Sequence, residues 1–364
     1  MLYYSSLLLL LVFTFSPFAY AQSPDTTNNP NSLLLKDYRP ESIYKGAQTE
    51  VNKAKFPVID MHTHPYVKSE VELDAWVKTM DELNIDKSVI LTYQSGEAFD
   101  SLYRFFQKYP DRFILFCGFD YTDYDKPGFS EKAVKELERC YKSGARGVGE
   151  LGDKGKGLFY SRPTRAYGMH IDDARMAPLL KKCAELNMPV SVHVADPIWM
   201  YQPMNAKNDG LMNAYRWRIK DQENAVSHTG MLNILENAVK AHPSTTFIAC
   251  HFANTSYDLS LLGDLFDKYP NLYADISARF AETAAIPRTA ARFYTKYANR
   301  LVYGSDMGTD KKMYKTTFRI LESEDEHFYD HSISSYHWAM HGFGLSEEVL
   351  KQVYQANAQM LLKK

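Results

Sequence analysis

From Phe56 onward, short apolar runs rich in β-branched residues alternate with longer stretches in which apolar residues recur at helical spacing. The runs fall at 56–61, 87–92, 112–119, 146–151, 189–195, 245–252, 271–277 and 300–305, each long enough for one buried strand. Between them, 71–84 (Val71, Leu73, Ala75, Trp76, Val77, Met80, Leu83) and 130–143 carry one apolar face each and predict helices. Eight strands each followed by a helix, in roughly 300 residues, is the count of a (β/α)8 TIM barrel. A doubly wound open sheet would bring a glycine-rich turn after its first strand. Here that turn reads His62-Thr63-His64-Pro65, so the pattern predicts an α/β barrel over 53–364.

One connection departs from the rhythm. Residues 197–229 form a long insertion after the fifth strand, with Trp199, Tyr201, Arg216, Trp217, Arg218 and Lys220. A loop that follows a barrel strand lies on the active face, and loops of this length in a compact domain are commonly functional. Aromatic and basic side chains there suggest a lid over an anionic or ring-bearing substrate.

The start of the chain is different in kind. Residues 1–21 carry no charged side chain, Leu7–Phe15 is apolar but for Thr14, and Ala19-Tyr20-Ala21 has the small-x-small form of a cleavage site. This predicts a secretory signal cut after Ala21 and a periplasmic or secreted protein, with an uncleaved anchor as the alternative. The polar stretch 22–52, with Pro24, Pro30 and Pro40, reads as a loose lead-in. After cleavage no membrane partner is expected.

Composition narrows the function. A formal charge of −2, with both signs mixed, excludes the basic stripe of a nucleic-acid binder. Of the four cysteines, Cys117 and Cys250 sit in strand-like runs and Cys140 and Cys183 in helix-like ones. That spacing is not a disulfide framework, and free Cys in such runs acts as a small hydrophobe.

The chemistry gathers at strand ends. Alternation along Val58-Ile59-Asp60-Met61-His62-Thr63-His64 predicts both imidazoles on one face, Ile59 and Met61 on the other, and Asp60 placed to hold the ring N–H groups. The fourth run ends in Glu150, the fifth in His193, the sixth in His251 and the eighth in Asp306. The same alternation turns Val190, Val192, Ile248 and Cys250 toward the helices. Six metal-competent side chains thus converge on one rim, where burying carboxylates and imidazoles is costly unless a cation compensates them.

This ordered set resembles the amidohydrolase superfamily, and over 56–362 the chain is similar to the amidohydrolase-related branch that includes aminocarboxymuconate-semialdehyde decarboxylase and γ-resorcylate decarboxylase. The resemblance implies that His62, His64, His193 and Asp306 bind one divalent ion, zinc first and manganese second, and that His251 is the catalytic acid/base or carbonyl-polarising group. It also implies an alternative with two ions, in which Glu150 bridges and His251 becomes a ligand. The sixth strand departs from many relatives, with Phe252-Ala253-Asn254 where they have small glycines.

A divalent ion among neutral imidazoles and one Asp lowers the pKa of bound water to about 7. The expected enzyme is therefore a metal-dependent hydrolase attacking an amide, lactone or ester carbonyl of a small anionic substrate, with Asp306 moving the proton and His251 stabilising the oxyanion. A non-oxidative decarboxylase is the alternative, and a non-catalytic binding protein on the same barrel is a third. Arg279 is a candidate carboxylate clamp, with pairing to Asp275 as its structural alternative, and Trp199, Arg216 and Trp217 are candidate substrate contacts. A small-molecule substrate is the expected partner, and a homodimer is compatible with the sequence. Two further patterns have plainer readings. Gly152-Asp153-Lys154-Gly155-Lys156-Gly157 lacks a phosphate-loop ending and reads as a flexible active-face loop. His337 and His341, with His327 and His331, read as a solvated or rim-facing helix rather than a surface metal site.

Overall fold

The computed structural model describes residues 30–160, 164–220, 222–333 and 335–363. The chain divides into two compact units, Met1–Tyr38 and Arg39–Lys364. Of the first, the described residues hold a single 3-10 turn, Leu35–Asp37. The signal at 1–21 lies outside the described residues. Among the described residues no helix is long and apolar enough to cross a membrane.

The second unit alternates strand and helix: β1 Val58–Thr63, α1 Glu70–Leu83, β2 Ile85–Leu91, α2 Gly96–Phe106, β3 Phe113–Phe116, α3 Phe129–Lys142, β4 Val148–Asp153, α4 Ala177–Glu185 and β5 Val190–Val194. There follow α5 Leu211–Trp217, α6 His228–Ala241, β6 Phe247–Ala249, α7 Leu259–Lys268, β7 Leu272–Asp275, α8 Phe280–Ala284, α9 Pro287–Lys296, β8 Leu301–Val302 and α10 Lys311–Glu322. All eight predicted strands are present. The first helix shows why the sequence folds this way. Ser69 Oγ accepts from the Glu72 N–H while the Glu72 carboxylate accepts from the Ser69 N–H, a reciprocal cap. Leu73, Trp76, Val77, Met80 and Leu83 then bury one stripe, and Asn84 ends the helix in the left-handed region.

The strands pair in parallel as β1-β2-β3 and as β8-β7-β6-β5-β4. Backbone bonds span both seams. Cys117 N–H donates to Gly147 O and Gly149 N–H to Cys117 O between β3 and β4, while Met61 N–H donates to Tyr303 O and Asp306 N–H to His62 O between β8 and β1. The ring is a TIM barrel.

Ile59, Met61, Val89, Leu91, Phe116, Ile248 and Val302, from β1, β2, β3, β6 and β8, pack together, which only the barrel interior allows. This corrects the simple alternation, which turned Ile59, Met61, Ile248 and Cys250 away from the site. Ile59, Met61 and Ile248 plug the barrel, and Cys250 lies against His62. Two irregularities explain it. The β1 register shifts between Asp60 and Thr63, and the sixth strand stops at Ala249. His251, Phe252, Ala253 and Asn254 then run successively through the left-handed region, at φ of 60, 54, 51 and 56°. Such a run costs about 1–2 kcal/mol per residue outside glycine. Val190 and Val192, as expected, pack outward into the core against the helices.

The insertion folds into a 3-10 turn, Ile198–Tyr201, and α5. The glycine-rich loop after β4 is pinned rather than flexible: Asp153 Oδ1 accepts from the N–H groups of Gly155 and Gly157, and its other oxygen meets His170 Nδ1 at 2.5 Å. The segment carrying His337 and His341 is not a helix either. It runs extended, with Phe328 and Met340 exchanging backbone bonds. In the lead-in, Thr49 donates from N–H and Oγ1 to the buried Asp325 carboxylate at 2.7 and 2.6 Å.

Candidate metal centre

The end of β1 delivers two imidazoles in one protonation pattern. His62 is fully buried and its Nδ1–H donates to Asp275 Oδ2 at 2.8 Å. His64 Nδ1–H donates to the Leu91 carbonyl at 2.9 Å. With both Nδ1 atoms serving as donors, each Nε2 is the nitrogen turned into the mouth, where loss of its proton would bare the lone pair that a ligating histidine requires. His62 Nε2 is buried without a hydrogen-bond partner. The ring N–H groups are not held by Asp60, as the sequence suggested. Asp60 points outward and accepts from His62 N–H, Ser305 N–H and Tyr314 Oη–H, tying β1 to β8 and α10.

Glu150 sits in the middle of the mouth, 5% exposed. Its Oε1 lies 2.6 Å from His193 Nδ1 and 3.4 Å from His251 Nε2, and its Oε2 lies 3.4 Å from His64 Nε2. His193 Nε2–H donates to the Ala195 carbonyl at 2.9 Å, which turns its Nδ1 inward. Asp306 closes the ring from β8, with Oδ1 3.1 Å from His64 Nε2 and Oδ2 3.7 Å from His251 Nε2. The structure therefore brings together all six predicted residues. Their ligand atoms form two triads with no member in common, His62–His64–Asp306 and Glu150–His193–His251, each within 4.8 Å. His62 also groups with His251 and Asp275, and with Glu150 and Cys250.

Imidazoles and carboxylates hold one another charged across the mouth. Burial by itself would lower the His64 pKa, but Asp306 and Glu150 raise it to about 9, and His62 is raised likewise against its burial by Asp275 and Asp306. In return the imidazoles hold Asp306 down at about 2 and Glu150 well below the carboxylate range, although burial opposes both shifts. These protons sit where imidazole nitrogens and carboxylate oxygens would meet a divalent cation. The orphaned His62 Nε2 and the mixed N/O donor set fit such an ion.

Sequence reasoning missed several neighbours. Tyr93 Oη donates to Glu150 Oε2 at 2.8 Å and lies 3.0 Å from His64 Nε2, its ring stacked on that of His64. Ser277 contacts both His62 and His251. Lys154, from the pinned loop, reaches Asp196 Oδ1 at 2.5 Å. With Met200, Tyr201, Gln222 and Val226 these two line a cavity of about 100 Å³ under the insertion. The run Tyr273-Ala274-Asp275-Ile276-Ser277 carried the one available signal, two polar residues at strand spacing.

The candidate substrate residues divide. Arg279 does not pair with Asp275, whose oxygens are occupied by His62, His251 N–H and Ser277. Arg279 Nε and Nη2 donate instead to Asn254 Oδ1 at 3.0 and 2.6 Å, and Nη1 lies 3.7 Å from Glu282. Trp199 joins Tyr336 and Trp338, at centroid distances of 6.0 and 5.9 Å. Arg216 lies over the Trp217 ring at 5.0 Å, and Trp217 is 59% exposed.

Residues 59–364 match the family model described as amidohydrolase. The chain belongs to the amidohydrolase family. It is similar in fold to 2,6-dihydroxybenzoate decarboxylase from Rhizobium, with a TM-score of 0.52 and 14% identity over 84% of this chain and 98% of that one. It is also similar to 5-carboxyvanillate decarboxylase from Novosphingobium aromaticivorans, solved with manganese, with a TM-score of 0.53 and 15% identity over 87% of this chain and 100% of that one. An uncharacterised TIM-barrel protein from Bordetella bronchiseptica aligns with a TM-score of 0.53 and 14% identity over 84% of this chain and 98% of that one. No curated protein matches the sequence. This amidohydrolase is thus a metal-dependent enzyme on a TIM barrel.

Proposed function

We propose that this amidohydrolase is a metal-dependent hydrolase acting on an amide, lactone or ester carbonyl of a small anionic substrate. The observation that carries the reading is the pair of triads with no shared residue. His62, His64 and Asp306 would hold one ion, and Glu150, His193 and His251 a second, in preference to the single-ion set expected from sequence. Zinc suits the donors best and manganese is the next choice. A divalent ion in such a set supplies Lewis acidity, lowering the pKa of water to about 7 and polarising a carbonyl.

The chain's own residues do the rest. Asp306, ionised at neutral pH, takes a proton from the attacking water and returns it to the leaving nitrogen or oxygen. The acyl–X bond breaks, an acyl–OH bond forms, and one water is consumed. Tyr93 Oη–H, which donates to Glu150 in the free site, would turn its proton from Glu150 to the oxygen that gains charge. Arg279 and Lys154, on the loops around the mouth, attract the substrate's carboxylate. The apolar start of the chain, Leu7–Phe15, supports action outside the cytoplasm.

Decarboxylation is the second reading. Two of the similar structures carry that activity in their names, and Asp306 or His251 is equally placed to protonate a ring carbon that loses CO2. Turnover in 18O-labelled water separates the two. Hydrolysis places 18O in the newly formed carboxylate, with no CO2 released. CO2 release from hydroxybenzoates, with inert esters, lactones and amides, would overturn the hydrolase reading.

A further inference from the structure

We infer that Asp275, with Ser277, is a positioning residue that fixes the ring tautomers of His62 and His251 together and so couples ion binding at the two triads. The inference rests on the metal-centre reading above. Every hydrogen in this network has one consistent place. Asp275 Oδ2 accepts from His62 Nδ1–H at 2.8 Å. Asp275 Oδ1 accepts from His251 N–H at 2.9 Å, Ser277 N–H at 3.1 Å and Ser277 Oγ–H at 2.5 Å. Having given its only proton to Asp275, the Ser277 hydroxyl can only accept. It does so from His251 Nδ1–H at 2.8 Å and, more weakly, from His62 Nδ1–H at 3.1 Å. The Ser277 carbonyl gives His251 Nδ1–H a second acceptor at 3.1 Å. Both rings are thereby held with Nδ1 protonated and the Nε2 lone pair turned into the mouth.

The network is dry and tight. Asp275 and Ser277 are 1% and 0% exposed. Gly304 lets it close: a Cβ there would lie 2.8 Å from His62 Cβ, 3.2 Å from Ser277 Cβ and 3.4 Å from Asp275 Cβ. One carboxylate from β7 therefore registers a ligand of the first triad on β1 and a ligand of the second triad beyond β6. An amide cannot replace it. In Asp275→Asn, a side chain that kept its oxygen toward the three donors would turn its NH2 to His62 Nδ1. That would drive the His62 proton to Nε2, the atom that must be bare to bind an ion.

The test uses the full chain stripped with chelator and reloaded with zinc. Affinity is read by competition with a chromophoric chelator, ligand geometry from the cobalt(II) visible spectrum, and fold from thermal unfolding without metal. Asp275→Asn should bind both zinc ions about 10–100-fold more weakly and shift the cobalt spectrum, while the metal-free protein still unfolds in one cooperative transition. Ser277→Ala, which keeps the carboxylate, should weaken one ion by about tenfold and leave the other near wild type. Wild-type zinc affinity and stoichiometry in Asp275→Asn would overturn the inference. Should that variant fail to fold, unchanged affinity in Ser277→Ala overturns it instead. His62→Ala distinguishes the two levels. Zinc lost there but kept in Asp275→Asn removes the coupling role alone, whereas zinc kept in both removes the metal-centre reading.

Discussion

Tyr93 gives its hydroxyl proton to Glu150 at 2.8 Å while its ring lies 4.8 Å from that of His64, nearly parallel to it. It holds this place from a backbone with φ of 59°, in the left-handed region just after β2, a conformation that a bulky residue adopts only when its surroundings enforce it. Tyr93→Phe keeps the stacked ring and removes one donor. It should retain full metal content and lose about 10²-fold in kcat with little change in KM, the signature of a contact made in the transition state. Metal loss in this variant would make Tyr93 a support of the ligands instead.

The two-triad arrangement predicts two ions per chain by elemental analysis. His62→Ala and His193→Ala should each lose metal while remaining folded, because the barrel core does not depend on the ion. His251→Asn should fall from two ions to one. Full stoichiometric metal with turnover down about 10²–10⁴-fold would instead support a single ion and a catalytic His251.

Metal uptake should release protons. His64 in the metal-free protein titrates at about 9, raised above its ordinary 6.5 by Asp306 and Glu150 against its burial. At pH 7 it is protonated, so an entering cation must displace that proton, and affinity rises with pH until about 9. The sign for stability is opposite. A raised folded-state pKa stabilises the metal-free protein below 6.5, and this contribution is lost as pH climbs through 9. Zinc affinity from about pH 6 to 9, and Tm of the metal-free protein over the same range, should therefore move in opposite directions.

Away from the site, Asp325 is 1% exposed and accepts from Thr49 twice and from Arg319 Nε at 2.7 Å. Asp325→Ala takes the carboxylate from a half-buried guanidinium that keeps Gln48 as a partner and from two lead-in donors, at a cost on the order of 2 kcal/mol. Burial opposes ionisation here, but Thr49 and Arg319 outweigh it and lower the pKa. The stabilisation is thus present above the ordinary Asp value and lost in acid. Urea unfolding at neutral pH and at about pH 3 measures both effects.

Substrate charge is read at Arg279. It is steadied by Asn254 and Glu282, so Arg279→Met should raise KM for anionic substrates roughly tenfold or more and leave neutral analogues nearly unchanged. Removing the insertion between Met200 and Val226 should act in the same direction. Equal effects on neutral and anionic substrates would separate the clamp from the chemistry.

The alternation of apolar runs and helical faces was enough to specify eight strands, their order and the barrel, because burial on both sides makes each strand a continuous apolar run. The identities of His62, His64, Glu150, His193, His251 and Asp306 were readable too, since all but Glu150 stand near or just past a strand end, while β4 runs on from Glu150 to Asp153. What the linear pattern could not give was direction. A period of two assumes an unbroken strand, but the register shift in β1 and the left-handed turn from His251 to Asn254 reset which way each side chain points. Met61 and Ile248 consequently fill the barrel while His62 and His251 face its mouth. The supporting residues were hidden for a related reason. Asp275, Ser277 and Tyr93 are ordinary residues in sequence, separated from their partners by up to 215 positions. They acquire a role only where ring closure brings the end of β7 within reach of β1 across Gly304, just past β8, and a hydrogen bond acts over about 3 Å whatever the distance along the chain.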